Sequence, residues 1–155
     1  MIRIVGFVFV VAFLSPAAMA DERANYYYPP VSSTEVFSRA LTGVPPAGRA
    51  VRVGFTTQIT KAQLAAPESP RFVVFAKGEE AQHMIIVALD DEIFKTLFRA
   101  RAVLAQLTSN LRGTEFFVEN GIEARATWFD LARLLGFKDL VISDGATWSH
   151  RVIFE

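Results

Sequence analysis

The chain has 155 residues with 16 basic and 16 acidic side chains, so it lacks the basic excess that nucleic-acid binders display. It contains no cysteine, which excludes disulfides, thiolate metal sites and thiol nucleophiles. Apolar residues make up 52% of it and include 14 phenylalanines, enough to fill one core in a domain of this length.

Residues 1–20 read as a secretory signal peptide. Arg3 supplies the positive end, and Ile4 to Leu14 is an unbroken apolar run. Ser15-Pro16 breaks any helix there, and Ala18-Met19-Ala20 places small residues where signal peptidase requires them. The run is too short to cross a bilayer, which takes roughly 20 apolar residues. Cleavage after Ala20 would release an exported, periplasmic or secreted product of about 135 residues. No later segment reads as transmembrane. The competing reading is an uncleaved anchor.

Residues 21–34 read as an extended arm. Pro29 and Pro30 forbid regular helix, and Tyr26, Tyr27 and Tyr28 cannot share one face of any regular element. The three tyrosines are candidates for docking a partner, since tyrosine combines contact area with a polar tip. Alternatively the arm packs over its own core.

Residues 35–155 read as one domain. Ser32 to Glu35 fits a capping box opening a short helix through Leu41, before the Pro45-Pro46 break. Val51, Val53 and Phe55 alternate with Arg52, Gly54 and Thr56 and predict a strand, followed by a short helix over 57–65. Residues 71–76 and 83–89 predict two strands around a Lys77-Gly78-Glu79-Glu80 turn. Their continuous apolar runs predict central positions in the sheet. Asp90-Asp91-Glu92 predicts the start of a long helix with a stripe at Ile93, Leu97, Ala100, Leu104, Leu107 and Leu111, ending at Gly113. Short helices are predicted over 114–120 and 126–135. A final strand pair over 140–142 and 148–154 flanks an Asp144-Gly145 turn. Strands and helices segregate, which predicts an α+β domain. Its sheet is expected to be small and mostly antiparallel, packed on one long and two or three short helices.

Residues suited to chemistry are few. His83 and His150 are the two histidines, fewer than a zinc site of histidines usually offers, so no metal or other cofactor is expected. Asp144 and His150 flank the last turn and form a weak candidate acid–base pair, set against a turn aspartate beside a strand histidine. Ser149 and His150 are strand neighbours and point to opposite faces, so they cannot form a dyad by themselves. Lys77-Gly78 lacks the rest of a phosphate loop. Arg99 and Arg101 lie beside the stripe of the long helix and are candidate anion ligands. The alternative for Arg101 is an ion pair near the buried seam, with Asp130 or Asp139 as partner. Phe94, Phe98, Phe116, Phe117, Trp128 and Phe129 read as core, or as the walls of a groove for an apolar ligand or peptide.

Several stretches carry a resemblance. The Tyr-Pro arm, Phe75-Ala76-Lys77-Gly78, Met84 to Leu89, Thr96 to Ala102, and Val141-Ile142-Ser143-Asp144-Gly145 resemble a family of small exported proteobacterial proteins without an established function. Some members carry the label "molybdopterin-guanine dinucleotide biosynthesis protein A". That nucleotidyltransferase opens on a Leu-Ala-Gly-Gly stretch and has an Arg-Met-Gly…Lys motif for GTP. Neither occurs here, so the resemblance assigns no catalytic residue. The expectation is an exported, non-enzymatic domain that binds a protein or envelope component. The alternatives are a small anionic-ligand binder using Arg99 or Arg101, and an enzyme with an Asp144/His150 site.

Overall fold

The computed structural model describes residues 28–39, 47–90, 93–113, 118 and 124–155. They form a five-stranded sheet with three helices. The strands are β1 (Ser33–Phe37), β2 (Phe72–Lys77), β3 (His83–Ala88), β4 (Asp139–Ser143) and β5 (Ser149–Phe154). The helices are α1 (Arg49–Ala65), α2 (Leu97–Arg112) and α3 (Trp128–Leu134). The expected α+β class holds. The predicted signal peptide, Tyr26, Tyr27, Asp91, Glu92 and nearly all of the predicted 114–120 helix lie outside the described residues.

The sheet order is β1-β5-β4-β3-β2. β2 with β3 and β4 with β5 are antiparallel hairpins, whereas β1 with β5 and β3 with β4 are parallel. The sheet is therefore mixed, which corrects the mostly antiparallel expectation. The cause is the β3–β4 connection, which carries α2 and α3 and is long enough for a parallel return. A second correction follows from the order: β3 and β4 are interior, but β2 is an edge strand.

Inner-face residues Val74, Met84, Ile86, Leu140, Ile142 and Val152 form one core with Ala100 and Leu104 of α2 and Trp128 and Ala132 of α3. Phe55 and Ile59 of α1 pack against it, so all three helices cover the same side of the sheet. Ile85, Val87, Val141 and Ser143 alternate with the inner residues and point to the other side.

Two sequence expectations fail for one reason. Residues 33–37 form a strand where a capping box was expected, because Ser33, Glu35 and Phe37 alternate with Thr34 and Val36 and the backbone pairs with β5. Residues 51–55 belong to α1 where a strand was expected. Val51 and Val53 are exposed, and the inward stripe is Arg52, Phe55, Thr56 and Ile59 at helical spacing. Both segments carry two overlapping periods, and the partner available in space chooses between them.

The buried guanidinium of Arg52 fixes α1. It donates to Glu80 O at 2.9 and 2.6 Å, to Leu135 O at 3.2 Å and to Ala47 O. Leu135 closes α3, so the cation also meets the negative end of that helix. α2 begins at Leu97, later than the acidic run predicts, because the Thr96 hydroxyl accepts from Arg99 N and caps it. Asp90 instead pairs with Arg71 at 3.0 Å. α2 (16 residues) and α1 (17) are similar in length, so no single long helix dominates. α3 starts on a capping box made by Thr127 and Asp130, near its predicted place.

Candidate functional site

The parallel register of β1 on β5 sets Ser33 beside His150 on the inner face. Alternation brings Glu35 and Phe37 to the same face, alongside Val152 and Phe154. His150 is buried, and Trp148 stacks near it with ring centroids 6.3 Å apart and planes 14° apart. Its Nδ1 is hydrogen-bonded to Ser33 Oγ at 2.8 Å. Its Nε2 lies 3.4 Å from Glu35 Oε1 but makes no hydrogen bond. Glu35 Oε2 accepts from Arg101 Nη2 at 2.8 Å, so a polar chain runs from Ser33 through His150 and Glu35 to α2.

Beside this chain a cleft of about 350 Å³ opens between β1, α2 and the start of α3. Its walls include Phe37, Leu104, Trp128 and Phe129, with Glu35 and Arg101 as the charged residues. Phe37, Phe129 and Phe154 meet edge-on or tilted, with centroids 5.2 to 6.2 Å apart, and hold the aromatic wall rigid. Trp128 N–H of the backbone donates to Thr108 Oγ1 at 3.1 Å. Its indole Nε1, however, is buried and has no acceptor. A buried donor without a partner costs about 1–3 kcal/mol.

The sequence candidates are dispersed. Arg101 joins the cleft, but its side chain is 60% exposed and paired with Glu35. This corrects the expectation of a seam position with Asp130 or Asp139 as partner. Ala100 and Leu104 take the seam, and a residue one step along a helix turns about 100° away from it. Asp130 binds Arg39 at 2.8 Å, and Asp139 binds Arg151 and His83. Arg99 lies on another side of α2, beside Arg71 and Val103 in a separate hollow. Asp144 does not meet His150. Its carboxylate accepts from the backbone N–H of Ala146, Thr147 and Trp148 and from the Thr147 hydroxyl, all at 2.8–2.9 Å. Burial alone would raise its pKa, but these donors hold the carboxyl below its ordinary value. Tyr28 is half-buried. Phe94 is buried in the core, whereas Phe98 is exposed.

His83 belongs to a second polar cluster, on the outer face. Its Nδ1 lies 3.0 Å from Asp139 Oδ1, and Arg151 also reaches that carboxylate. Burial pushes the Asp139 pKa up, but hydrogen bonds from His83 and Arg151, and their charges, outweigh it and lower the pKa. The cluster ties β3, β4 and β5 together.

Ser33 and Glu35 are the site residues that sequence reasoning missed, because it read them as a helix start. The signal was present as alternation over 33–37. Among the described residues, no three His, Asp or Glu side chains converge as metal ligands, and no helix is long and apolar enough to cross a membrane. Compared with known families, curated proteins and solved structures, the chain matches none.

Proposed function

We propose that this chain is an exported, non-catalytic binding domain whose ligand is an amphipathic carboxylate held in the cleft between β1, α2 and α3. The observation that carries the reading is an aromatic cleft with one guanidinium on its lining. Ligand sites of this size are mostly apolar, with few polar groups to fix orientation. The apolar body of the ligand fits against Phe37, Leu104 and Phe129. Its carboxylate takes Arg101, which offers five N–H donors and uses one on Glu35. Export rests on the signal-like first 20 residues.

The test is thermal unfolding of the protein with medium-chain and aromatic carboxylates, each beside its uncharged alcohol. At a hundredfold excess over Kd, a true ligand stabilises by about 2.7 kcal/mol. The expected result is a Tm rise with carboxylates, a smaller one with alcohols, and loss of the difference in Arg101→Gln. Equal response to acids and alcohols, or none to either, refutes the reading.

A second reading has one contact in its favour. The 2.8 Å bond from exposed Ser33 to His150 is the arrangement in which an imidazole takes a serine proton, and Glu35 stands beside the far nitrogen. In this enzymatic alternative Ser33 takes the place of Asp144, which the turn has already engaged. Serine-directed fluorophosphonate labelling that disappears in Ser33→Ala would favour it. No labelling of the native protein would remove it.

A further inference from the structure

β1 forms one edge of the sheet, and the rim it turns away from β5 is open. The Phe37 carbonyl accepts from the Glu155 N–H at 3.1 Å, while Phe37 itself pairs with Phe154. In a parallel ladder this makes Phe37, and with it Glu35 and Ser33, the residues whose backbone groups turn toward β5. The N–H and C=O groups of Thr34 and Val36 therefore point away from the sheet. Among the described residues, nothing hydrogen-bonds to them. Both residues are exposed, Val36 at 55%. Two free donors and two free acceptors in a row are a template for one more strand.

The cleft runs along the inner side of this same rim. Glu35 and Phe37 of β1 line it, opposite Arg101, Leu104, Trp128 and Phe129. A strand added to β1 lies about 4.8 Å beyond it, and every second side chain of that strand turns to the inner face, where the cleft is. Rim and cleft together therefore suit a ligand with three properties: an extended backbone, an apolar side chain and a carboxylate. The last residue of a polypeptide carries the second and third on one Cα when its side chain is apolar. An internal Asp or Glu spends its side chain on the charge and leaves the aromatic wall unfilled.

We infer that the amphipathic carboxylate is the C-terminus of a partner polypeptide, taken up as an added strand on β1. The inference rests on the cleft reading and gives its ligand a chemical class. The backbone of Thr34 and Val36 pairs with the incoming strand and supplies affinity without reading its sequence. The last side chain packs against Phe37, Leu104 and Phe129 and supplies the preference for an apolar residue. Its carboxylate meets Arg101, which is 60% exposed and spends one donor on Glu35. Glu35 holds that guanidinium at the rim and, as a negative charge, disfavours a second carboxylate on the ligand.

The experiment titrates the full-length protein calorimetrically with four probes. They are acetyl-Thr-Val-Thr-Val-Phe with a free C-terminus, its C-terminal amide, the free acid N-methylated throughout, and 3-phenylpropanoate. Hydrogen exchange measured by NMR follows the Thr34 and Val36 amides in each titration. The free acid should bind at least about tenfold more tightly than the other three, and it alone should slow exchange of both amides. A free acid no tighter than 3-phenylpropanoate would overturn the inference and leave the cleft reading standing. Absence of binding by all four would overturn both. Equal binding of acid and amide would overturn the assignment to a C-terminus. Slow exchange of both amides in the ligand-free protein, deepening with protein concentration, would place a second copy on the rim and overturn the inference as well.

Discussion

Replacing Arg52 by methionine tests how α1 is held to the β2–β3 turn and to the end of α3. The side chain is 7% exposed and gives its N–H groups to the carbonyls of Glu80, Ala47, Leu135 and Gly136. Methionine keeps the apolar stem and removes the fork. Each hydrogen bond to a charged group contributes about 1.5–3 kcal/mol when broken singly. The four carbonyls share one cation, and some regain water, so their losses do not add. About 3 kcal/mol is the expected net cost, a large fraction of a stability of about 5–15 kcal/mol. With an unfolding entropy of about 2.1 cal/mol/K per residue, that loss lowers Tm by about 10 °C in a domain of this size. Arg52→Lys retains the charge but not the fork, and should lose about half as much. Urea titration followed by circular dichroism gives the free energies, and calorimetry gives the Tm. A loss under about 1 kcal/mol in Arg52→Met would refute the claim that this cation joins α1 to the β2–β3 turn and to the end of α3.

Other predictions concern the site and the turns. In ligand titrations, Trp128→Phe should weaken carboxylate binding by about tenfold, since it removes the five-membered ring of an indole that forms part of the cleft wall. An unchanged Kd would show that the indole does not meet the ligand. Asp139 and Asp144 both have folded pKa values below the ordinary 3.8. Their contribution to stability is complete above that value and is lost as pH falls through the depressed one. Melting curves from pH 6 down to about pH 2 should therefore show a steep acid limb, and it should be shallower in Asp139→Asn. The same limb in that variant would mean other carboxylates set it. Asp144→Ala removes the acceptor for three backbone N–H groups and one hydroxyl, and should cost about 1–2 kcal/mol in a urea titration. Asp144→Asn should recover part of that loss, and equal losses in the two variants would contradict the turn role.

Where neighbours in sequence are also neighbours in space, the chain was legible. The β2–β3 hairpin follows from two apolar runs around Gly78, whose φ of 91° suits glycine. The β4–β5 hairpin follows from Asp144-Gly145, with Gly145 at φ 78°. The ends of α2 and α3, at Gly113 and around Thr127, follow from local capping and breaking chemistry. The candidate site was far less legible. Arg101 was singled out, but for a buried seam it does not occupy, and Asp144 was paired with a histidine it does not touch.

Composition and local pattern by themselves determined the α+β class, the absence of disulfides, the two hairpins and the existence of a helical half between β3 and β4. These depend on turn residues and on periods within a dozen positions, which need no distant partner. Tertiary structure alone decided that 33–37 is a strand, that 49–56 is helical, and that the sheet is mixed with β2 at its edge. It also decided that Ser33, Glu35, Arg101 and His150 meet. The physical reason is that β1 completes its hydrogen bonds only on β5, at the far end of the chain. A backbone pairing of that separation leaves no mark in any short window, and the side chains it brings together inherit the same silence.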